Sequence, residues 1–203
     1  MRRIEQEGLR DEHALQVVMT NRMAAYLDVH GRRLVGWNEI LQDGLVDSAA
    51  AQYWIRHRKD VIEAIRRGRD VIVSSWGHTY LDHSYSLTPL SKAYAFEPVF
   101  AELGAADAQH VIGLEAPMWT EFVPNRARLD YQTWPRLAAF AETGWSPRER
   151  KDWTSFRRRL NSWMQRFDAL GVQYARGSDL EPPWFKRALG VFTAAQAQTK
   201  TVT

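Results

Sequence analysis

The sequence predicts an α/β fold in which a parallel sheet is built from strand–helix units. Short apolar runs rich in β-branched residues alternate along the chain with segments whose apolar residues recur at helical spacing. The clearest strand is "DVIVSS" at 70–75, a continuous apolar run of the kind that is covered on both faces. Strands that alternate with helices form right-handed βαβ units, so we predict a parallel sheet.

The first part of the chain carries two predicted helices and two short predicted strands. The first helix spans 11–29, because Asp11 is a typical N-cap and Gly31 stands where a C-terminal glycine belongs. The strands follow as "RLVGW" and "AAAQYWI". A second helix is predicted over 59–67, with Gly68 at its end.

The second part begins with a long connection after "DVIVSS". Residues 76–110 are predicted to be irregular, and a connection of that length inside a compact domain is more often functional than idle. The strand "HVIGL" and a helix over 133–143 follow, and "SPRE" has the spacing of a capping box. The last helix is predicted over 153–170, with its stripe of large apolar side chains packed in the core.

The size of the chain limits the possible architectures. We count four strand–helix units in 203 residues, whereas a complete (β/α)8 (TIM) barrel has eight units in about 250 residues. The chain therefore has room for about half a barrel. A doubly wound open sheet is the competing architecture, but the sequence has no G-x-G-x-x-G or G-x-x-x-x-G-K-[ST] segment, so nucleotide binding has no local support.

The composition excludes several classes of protein. With 45% hydrophobic and 25% charged residues it is typical of a soluble globular protein, and without cysteine it cannot form disulfides, thiolate metal sites or a Cys nucleophile. The net charge of +3 is too small to favour nucleic-acid binding, so we interpret the Arg clusters as solvated helix faces. No apolar run approaches the ~20 residues of a membrane span, and the start lacks the apolar core of a signal peptide. The compartment is not indicated.

Aromatic and acidic side chains follow four successive apolar runs. They are Trp37 after the first run, Trp54 after the second, Tyr80 and Asp82 after the third, and Trp119 and Glu121 after the fourth. In parallel α/β architectures ligands bind at the carboxyl ends of the strands. A sugar has an apolar C–H face that suits an aromatic ring, and hydroxyls that can donate to carboxylates in bonds of roughly 1.5–3 kcal/mol each. We therefore predict a carbohydrate site.

Each of these residues alone has a simpler explanation. A single Trp after a strand is more often core than ligand wall, and Tyr80 could be a buried phenol with a satisfied hydroxyl. Asp82 and Glu121 could cap helices. The conjunction at four successive strand ends is what favours a binding site.

Two other chemistries are less well supported. His78 and His83 with Asp82 suggest a metal site, but they lack the spacing of H-E-x-x-H and lie in a predicted loop, so we predict no metal. Ser74 or Ser75 could belong to a Ser-His-Asp triad, but no G-x-S-x-G turn is present.

Five segments, in order, resemble the second half of the catalytic barrel of the family-20 glycoside hydrolases, the β-N-acetylhexosaminidases. They are "RRLVGWNEIL", "AAQYW", "VIVSSWGHTYLDH", "IGLEAPMWTE" and "TWPRLAAFAETGWSP". The resemblance covers about residues 5–175. It implies a partial (β/α)8 barrel consisting of the last four βα units and a C-terminal helix, as a domain over 1–175 with a C-terminal tail over 176–203.

The resemblance also implies an activity and a role for each site residue. The family removes terminal N-acetylglucosamine or N-acetylgalactosamine with retention of configuration, because the acetamido oxygen of the sugar attacks the anomeric carbon. The residues that match its aromatic walls are Trp37, Trp54 and Trp119. Tyr80 matches the tyrosine that hydrogen-bonds the acetamido oxygen, and Asp82 and Glu121 match carboxylates that hold sugar hydroxyls. The expected partner is a carbohydrate, and no cofactor is expected.

The sequence departs from the family where the proton donor should be. The family uses an adjacent Asp-Glu pair at a strand end, whereas the Asp-Glu pair here, Asp11-Glu12, stands at a predicted helix start. Asn38 replaces a common Asp, and Tyr85 is the nearest match to a further Trp of the family. We therefore expect a fragment that is inactive alone and that self-associates through open barrel edges. The alternative is a non-catalytic module that binds N-acetylhexosamines.

Overall fold

The four predicted strands form one sheet in a computed structural model that describes residues 2–189 of the chain. The strands are β1 (Val35–Trp37), β2 (Ala50–Tyr53), β3 (Val71–Val73) and β4 (Val111–Leu114). Their order in the sheet is β1-β2-β3-β4, and both β1 with β2 and β2 with β3 pair in parallel. Each strand lies within a predicted apolar run, so the predicted α/β class with a parallel sheet is confirmed.

Helices lie between and after the strands. In chain order they are α1 (Arg2–Gln6), α2 (Glu12–Val29), α3 (Arg58–Arg66), α4 (Trp76–Thr79), α5 (Leu90–Ala95), α6 (Ala105–Ala108), α7 (Arg126–Thr133), α8 (Arg136–Trp145) and α9 (Trp153–Ala169). Among the residues described, no helix has both the length and the apolar character that a membrane crossing needs.

Several local predictions hold and others fail. Asp11 caps α2 through a 2.9 Å hydrogen bond from the Ala14 amide, and Gly68 after α3 has a φ of +87°. The segment 76–110 is less irregular than predicted, since it contains α4, α5 and α6. Helix α7 was not predicted, since the predicted helix in this region begins only at residue 133. Ser146 does not form the predicted capping box, because a short 3-10 turn at Arg148–Arg150 begins there without a side-chain cap.

Contacts divide the chain into two compact units. Unit 1 comprises Met1–Val73 with Pro98–Gly113, and therefore holds nearly all of the sheet. Its interior includes one face of α3, where Val61 and Ile65 are fully buried at a spacing of one turn. The apolar side chains of α2 are divided, because Ala24 and Leu27 pack in a small core cluster with Leu34, whereas Met19 is 59% and Tyr26 64% exposed.

Unit 2 comprises Ser74–Glu97 and the chain from Leu114 onward. Its core holds Phe156 and Leu160 of α9, as the apolar stripe predicts, but Leu170 at the end of the stripe is 77% exposed. Leu180 also packs in this core, beyond the predicted domain boundary at residue 175. That boundary stays a prediction, and residues 190–203 of the predicted tail lie outside the described residues.

Candidate functional site

Unit 1 carries two of the predicted site residues, at the carboxyl ends of adjacent strands. Trp37 is the last residue of β1, and Trp54 directly follows β2. Their ring centroids are 6.0 Å apart with an angle of 65° between the planes, an edge-to-face pair. The structure therefore brings Trp37 and Trp54 together, and we call this pair of rings the aromatic corner. Trp37 is 36% exposed.

Two neighbouring polar residues fix this corner. The Trp54 indole N–H donates to Oε1 of Glu39 at 2.8 Å. Asn38 is 2% exposed; its Nδ2 donates to the Ile55 carbonyl at 3.1 Å, and its Oδ1 accepts from the Trp54 amide at 3.0 Å. Sequence reasoning did not assign Glu39 a role and noted Asn38 only as a departure from the family. The Asn-Glu pair directly after the strand-end Trp was the available signal.

The backbone next to the corner is strained. Arg56 and His57 have φ values of +51° and +46°, in a region that residues with a side chain seldom adopt. Such conformations persist where the surrounding structure fixes them, and they cluster at binding sites. Here they follow the bonds that Asn38 makes to Trp54 and Ile55.

Unit 2 carries the other four predicted site residues, on the segments that follow β3 and β4. Tyr80 and Asp82 come after the single turn of α4 and are buried, 4% and 9% exposed. The Leu81 amide between them donates to the Pro117 carbonyl at 2.7 Å, which joins this segment to the one that leads to Trp119. Trp119 and Glu121 are exposed, Trp119 by 48%.

His83 packs against the Tyr80 ring. The two ring centroids are 5.5 Å apart and the ring planes are 25° from parallel, and the Trp76 ring meets His83 edge-to-face with its centroid 4.4 Å away. Burial, together with the positive charges of Arg136 and Lys92, lowers the pKa of His83 to about 4. The neutral imidazole therefore supports the Tyr80 ring at ordinary pH. The sequence suggests for His83 only the role of a metal ligand, and its packing against the Tyr80 ring depends on the tertiary structure.

The Asp82 carboxyl is the electrostatic centre of unit 2's site. Burial, aided by the negative charge of Glu121, raises its pKa to about 6, although hydrogen bonds from its own amide and from the Trp119 backbone oppose the shift, as does the Arg136 charge. Its Oδ1 is buried and has no hydrogen-bond partner within the protein. A buried carboxylate oxygen in this state is costly unless something donates to it. The arrangement suits a ligand that brings hydroxyl donors.

The structure thus assembles the predicted site in two groups, one in each unit. Trp37 and Trp54 form the first group, and Tyr80, Asp82, Trp119 and Glu121 form the second. The convergence of both groups on one sugar stays a prediction. Nowhere in residues 2–189 do three or more His, Asp or Glu side chains come together as a metal site would require.

Comparisons with known proteins point to a single family. Residues 1–148 match the model of glycosyl hydrolase family 20, catalytic domain. A beta-hexosaminidase of Porphyromonas gingivalis is 37% identical over 185 residues, which are 85% of this chain and 24% of that protein. A beta-N-acetylhexosaminidase of Cellulomonas fimi is 31% identical over 71% of this chain and 32% of its own length.

Solved structures agree with this result. The family-20 beta-N-acetylhexosaminidase of Streptomyces coelicolor superposes with a TM-score of 0.74 at 31% identity, over 85% of this chain and 38% of that one. The exo beta-N-acetylglucosaminidase of Vibrio harveyi, solved with N-acetylglucosamine, gives 0.77 at 29% identity, over 85% of this chain and 29% of that one. The matched part of the chain spans about a quarter of the length of the Porphyromonas gingivalis relative and about a third of that of the Cellulomonas fimi relative.

Proposed function

The chain belongs to glycosyl hydrolase family 20, and from this we propose that it forms part of the sugar-binding site of a β-N-acetylhexosaminidase. The proposed reaction is the removal of a terminal β-linked N-acetylhexosamine, with the acetamido oxygen of the substrate as nucleophile. In this reaction the protein binds and orients the sugar, and the substrate itself supplies the group that attacks the anomeric carbon.

The proposed roles follow the chemistry of each group. Trp37 and Trp54 enclose the apolar part of the sugar and its acetamido methyl, and Trp119 offers a further ring. Tyr80 donates its hydroxyl to the acetamido oxygen and so orients it for attack. Asp82 and Glu121 accept hydrogen bonds from sugar hydroxyls.

The observation that most supports this proposal is the state of the Asp82 carboxyl. One of its oxygens is buried without a hydrogen-bond partner within the protein, and burial raises its pKa to about 6. A hydrogen bond from a neutral donor therefore stabilises this carboxyl more than it would an exposed one. A metal ion would also satisfy the oxygen, but no cluster of ligand side chains surrounds it among the described residues. A sugar hydroxyl fits both the chemistry and the aromatic surroundings.

The chain lacks a proton donor of the type the family uses. Its Asp-Glu pair, Asp11-Glu12, begins α2, and the Asp11 carboxylate accepts from the Ala14 amide and pairs with Arg10 at 2.8 Å. Those bonds lower the pKa of Asp11 and engage its carboxylate as the N-cap of α2, so this pair stands at a helix start and not at a strand end. We therefore propose that the 203-residue chain binds the sugar without cleaving it.

Calorimetry with N-acetylglucosamine tests the binding. We expect a Kd on the order of 1–10 mM, since an incomplete site supplies only about 3–4 kcal/mol. Glucose is the matched control because it lacks the acetamido group, and it should bind at least several-fold more weakly. Equal affinity for both sugars, or no heat with either, contradicts the proposal.

Turnover is tested with a chromogenic N-acetylglucosaminide. We expect none above background, whereas a kcat on the order of 10 s⁻¹ would contradict the absence of a proton donor. The alternative, a non-catalytic module, also predicts binding without turnover. The two are separated by the coding sequence: an upstream in-frame segment with an apolar strand that ends in Asp-Glu favours the hydrolase.

The sheet edges suggest one further property of the isolated chain. In the described sheet β1 and β4 occupy the two edges, and unpaired edge strands pair readily with other chains. Val35 on β1 and Ile112 on β4 are about half exposed, at 46% and 53%. We propose that the isolated chain self-associates, and a stable monomer by light scattering at high concentration contradicts this.

A further inference from the structure

We infer that Arg136 and Gln132 are positioning residues, which hold the backbone of Tyr80, Leu81 and Asp82 in the conformation that presents the two site side chains. The inference rests on the proposed function for its consequence, the effect on sugar binding. Its structural part concerns unit 2 alone and can be tested without a ligand.

Arg136 is a fully buried guanidinium, and all but one of its described hydrogen bonds go to main-chain carbonyls. Its exposed fraction is 0%. Nη2 donates to the Leu81 carbonyl at 2.5 Å and to the Gln132 carbonyl at 2.7 Å, and Nη1 donates to the Thr88 carbonyl at 3.3 Å. The guanidinium carbon lies 4.2 Å from the centre of the Tyr85 ring. The side chain therefore bridges the segment after β3, the start of α5 and the end of α7.

Gln132 holds the next carbonyl along the same segment. It is also fully buried, and its Nε2 donates to the Asp82 carbonyl at 2.7 Å. The consecutive carbonyls of Leu81 and Asp82 thus accept bonds from two side chains four residues apart on α7 and α8. With the Leu81 amide bound to the Pro117 carbonyl at 2.7 Å, three main-chain groups of this short segment are fixed.

Stability alone does not account for a buried Arg at this position. Burial lowers the pKa of Arg136, which means that the charged form is held at a cost. A well-packed apolar side chain is often as stabilising as a buried charge. The guanidinium does what an apolar residue cannot, because its rigid fork donates in several directions at once. One of its acceptors is the carbonyl of Leu81, which lies between Tyr80 and Asp82, the two residues to which we assign sugar contacts.

The charge of Arg136 has a second effect on the same site. It opposes the rise in the pKa of Asp82, so a larger fraction of that carboxyl is ionised near neutral pH. An ionised Asp82 is the stronger acceptor for a sugar hydroxyl. Arg136 therefore acts on the site through geometry and through charge, and Arg136→Lys disturbs the geometry while it keeps the charge.

The test uses the full chain and three variants. Gln132→Met removes the bond to Asp82 with little change in volume, and Arg136→Lys keeps the charge but cannot reach several carbonyls. Tyr94→Phe is the matched control, since it removes a buried 2.8 Å hydrogen bond to Glu142 in the same unit without touching the segment. Hydrogen exchange of the Leu81 amide is measured in the free protein, with the buried Ala93 amide as internal reference.

We expect exchange at Leu81, relative to Ala93, to accelerate at least ten-fold in Gln132→Met and Arg136→Lys and to stay unchanged in Tyr94→Phe. The affinity for N-acetylglucosamine should fall about five- to ten-fold in the first two variants only. In a carbon-13 titration the pKa of Asp82 should change little in Arg136→Lys, because the charge is kept.

The outcomes distinguish the inference from the function on which it rests. If Gln132→Met matches Tyr94→Phe in both exchange and affinity, the two residues serve stability only and the inference is wrong. If the unmodified chain does not bind the sugar, the proposed function fails, while the exchange at Leu81 still decides whether the segment is held as inferred.

Discussion

One aspartate precedes β3 in the sequence and another follows it, and their surroundings shift their pKa values in opposite directions. Asp70, just before the strand in unit 1, accepts from Arg33 Nη1 at 2.5 Å and lies 2.9 Å from His110 Nδ1. These bonds lower its pKa. Asp82, after the strand in unit 2, has one carboxyl oxygen without a partner and a pKa raised to about 6.

The surroundings of Asp70 form a closed network at the amino ends of the strands. Arg33 precedes β1 and also donates through Nε to the Ser48 carbonyl at 2.6 Å, and His110 precedes β4. The charges here satisfy one another, so the network ties strand starts together and leaves nothing for a ligand. The difference indicates that the polar groups before the strands serve stability, while those after the strands lie where ligands bind in parallel barrels and are the ones we propose for binding.

The two carboxyls also give stability opposite dependences on pH. Asp70 has a lowered pKa, so its contribution is present above the unfolded value and is lost as the pH falls through the folded value. Asp82 has a raised pKa, so ionising it in the folded state is unfavourable, and stability is lost as the pH rises from about 4 to about 6.

The largest effect is expected from Asp82→Asn, which tests the binding half of the comparison. We expect the affinity for N-acetylglucosamine to fall at least ten-fold, about 1.4 kcal/mol, because a charged acceptor is lost. The same variant should melt at a higher temperature than the unmodified chain at pH 8, and the difference should vanish at pH 4. Thermal scans at both pH values and calorimetry check this. Unchanged affinity would contradict the proposed role of Asp82 in binding, and a lower melting temperature at pH 8 would contradict its raised pKa.

Asp70→Asn tests the stability half. Loss of the partly exposed ion pair with Arg33 and of the hydrogen bond with His110 should cost about 1 kcal/mol at pH 7, which lowers the Tm by about 2–4 °C for a chain of this size. At pH 3 the difference should be smaller, because the unmodified carboxyl is then also losing its charge. Sugar affinity should be unchanged, and a binding defect in this variant would show that the two ends are not separate in function.

A smaller effect is expected at Glu39, which sharpens the comparison within unit 1. Glu39→Ala removes the acceptor of the Trp54 indole N–H and should weaken sugar binding about two- to five-fold, equivalent to a hydrogen bond of ~0.5–1 kcal/mol. Glu39→Gln keeps an acceptor oxygen and is the matched control. Tryptophan fluorescence during titration with N-acetylglucosamine reports both variants, and identical behaviour would mean that Glu39 does not position Trp54.

The smallest effect is expected from Glu12→Gln, at the start of α2. Glu12 is an exposed residue next to the N-cap, so stability should change by less than about 0.5 kcal/mol and sugar binding not at all. Any residual hydrolysis of a chromogenic N-acetylglucosaminide should also be unaffected. A fall in hydrolysis would mean that Asp11-Glu12 takes part in chemistry after all.

Much of this protein was determined by the sequence itself. The four strands, the helix caps at Asp11 and Gly68, and the aromatic and acidic residues at strand ends were all predicted, because period and capping are local properties. The parallel sheet was also predicted, since strands that alternate with helices form βαβ units, whereas the order of the strands came from the structure. Single apolar stripes were less reliable, as the exposed Tyr26 and Leu170 show.

Only the tertiary structure decided what surrounds each side chain. Asp82 is buried and Trp119 is exposed, although both lie shortly after strands. Arg136 and Gln132 donate to the carbonyls of the Tyr80–Asp82 segment, which is about fifty residues away from them in sequence. Burial, pKa and hydrogen-bond partners depend on contacts between distant segments. A local pattern can therefore indicate candidate site residues, but not which residues hold them in place.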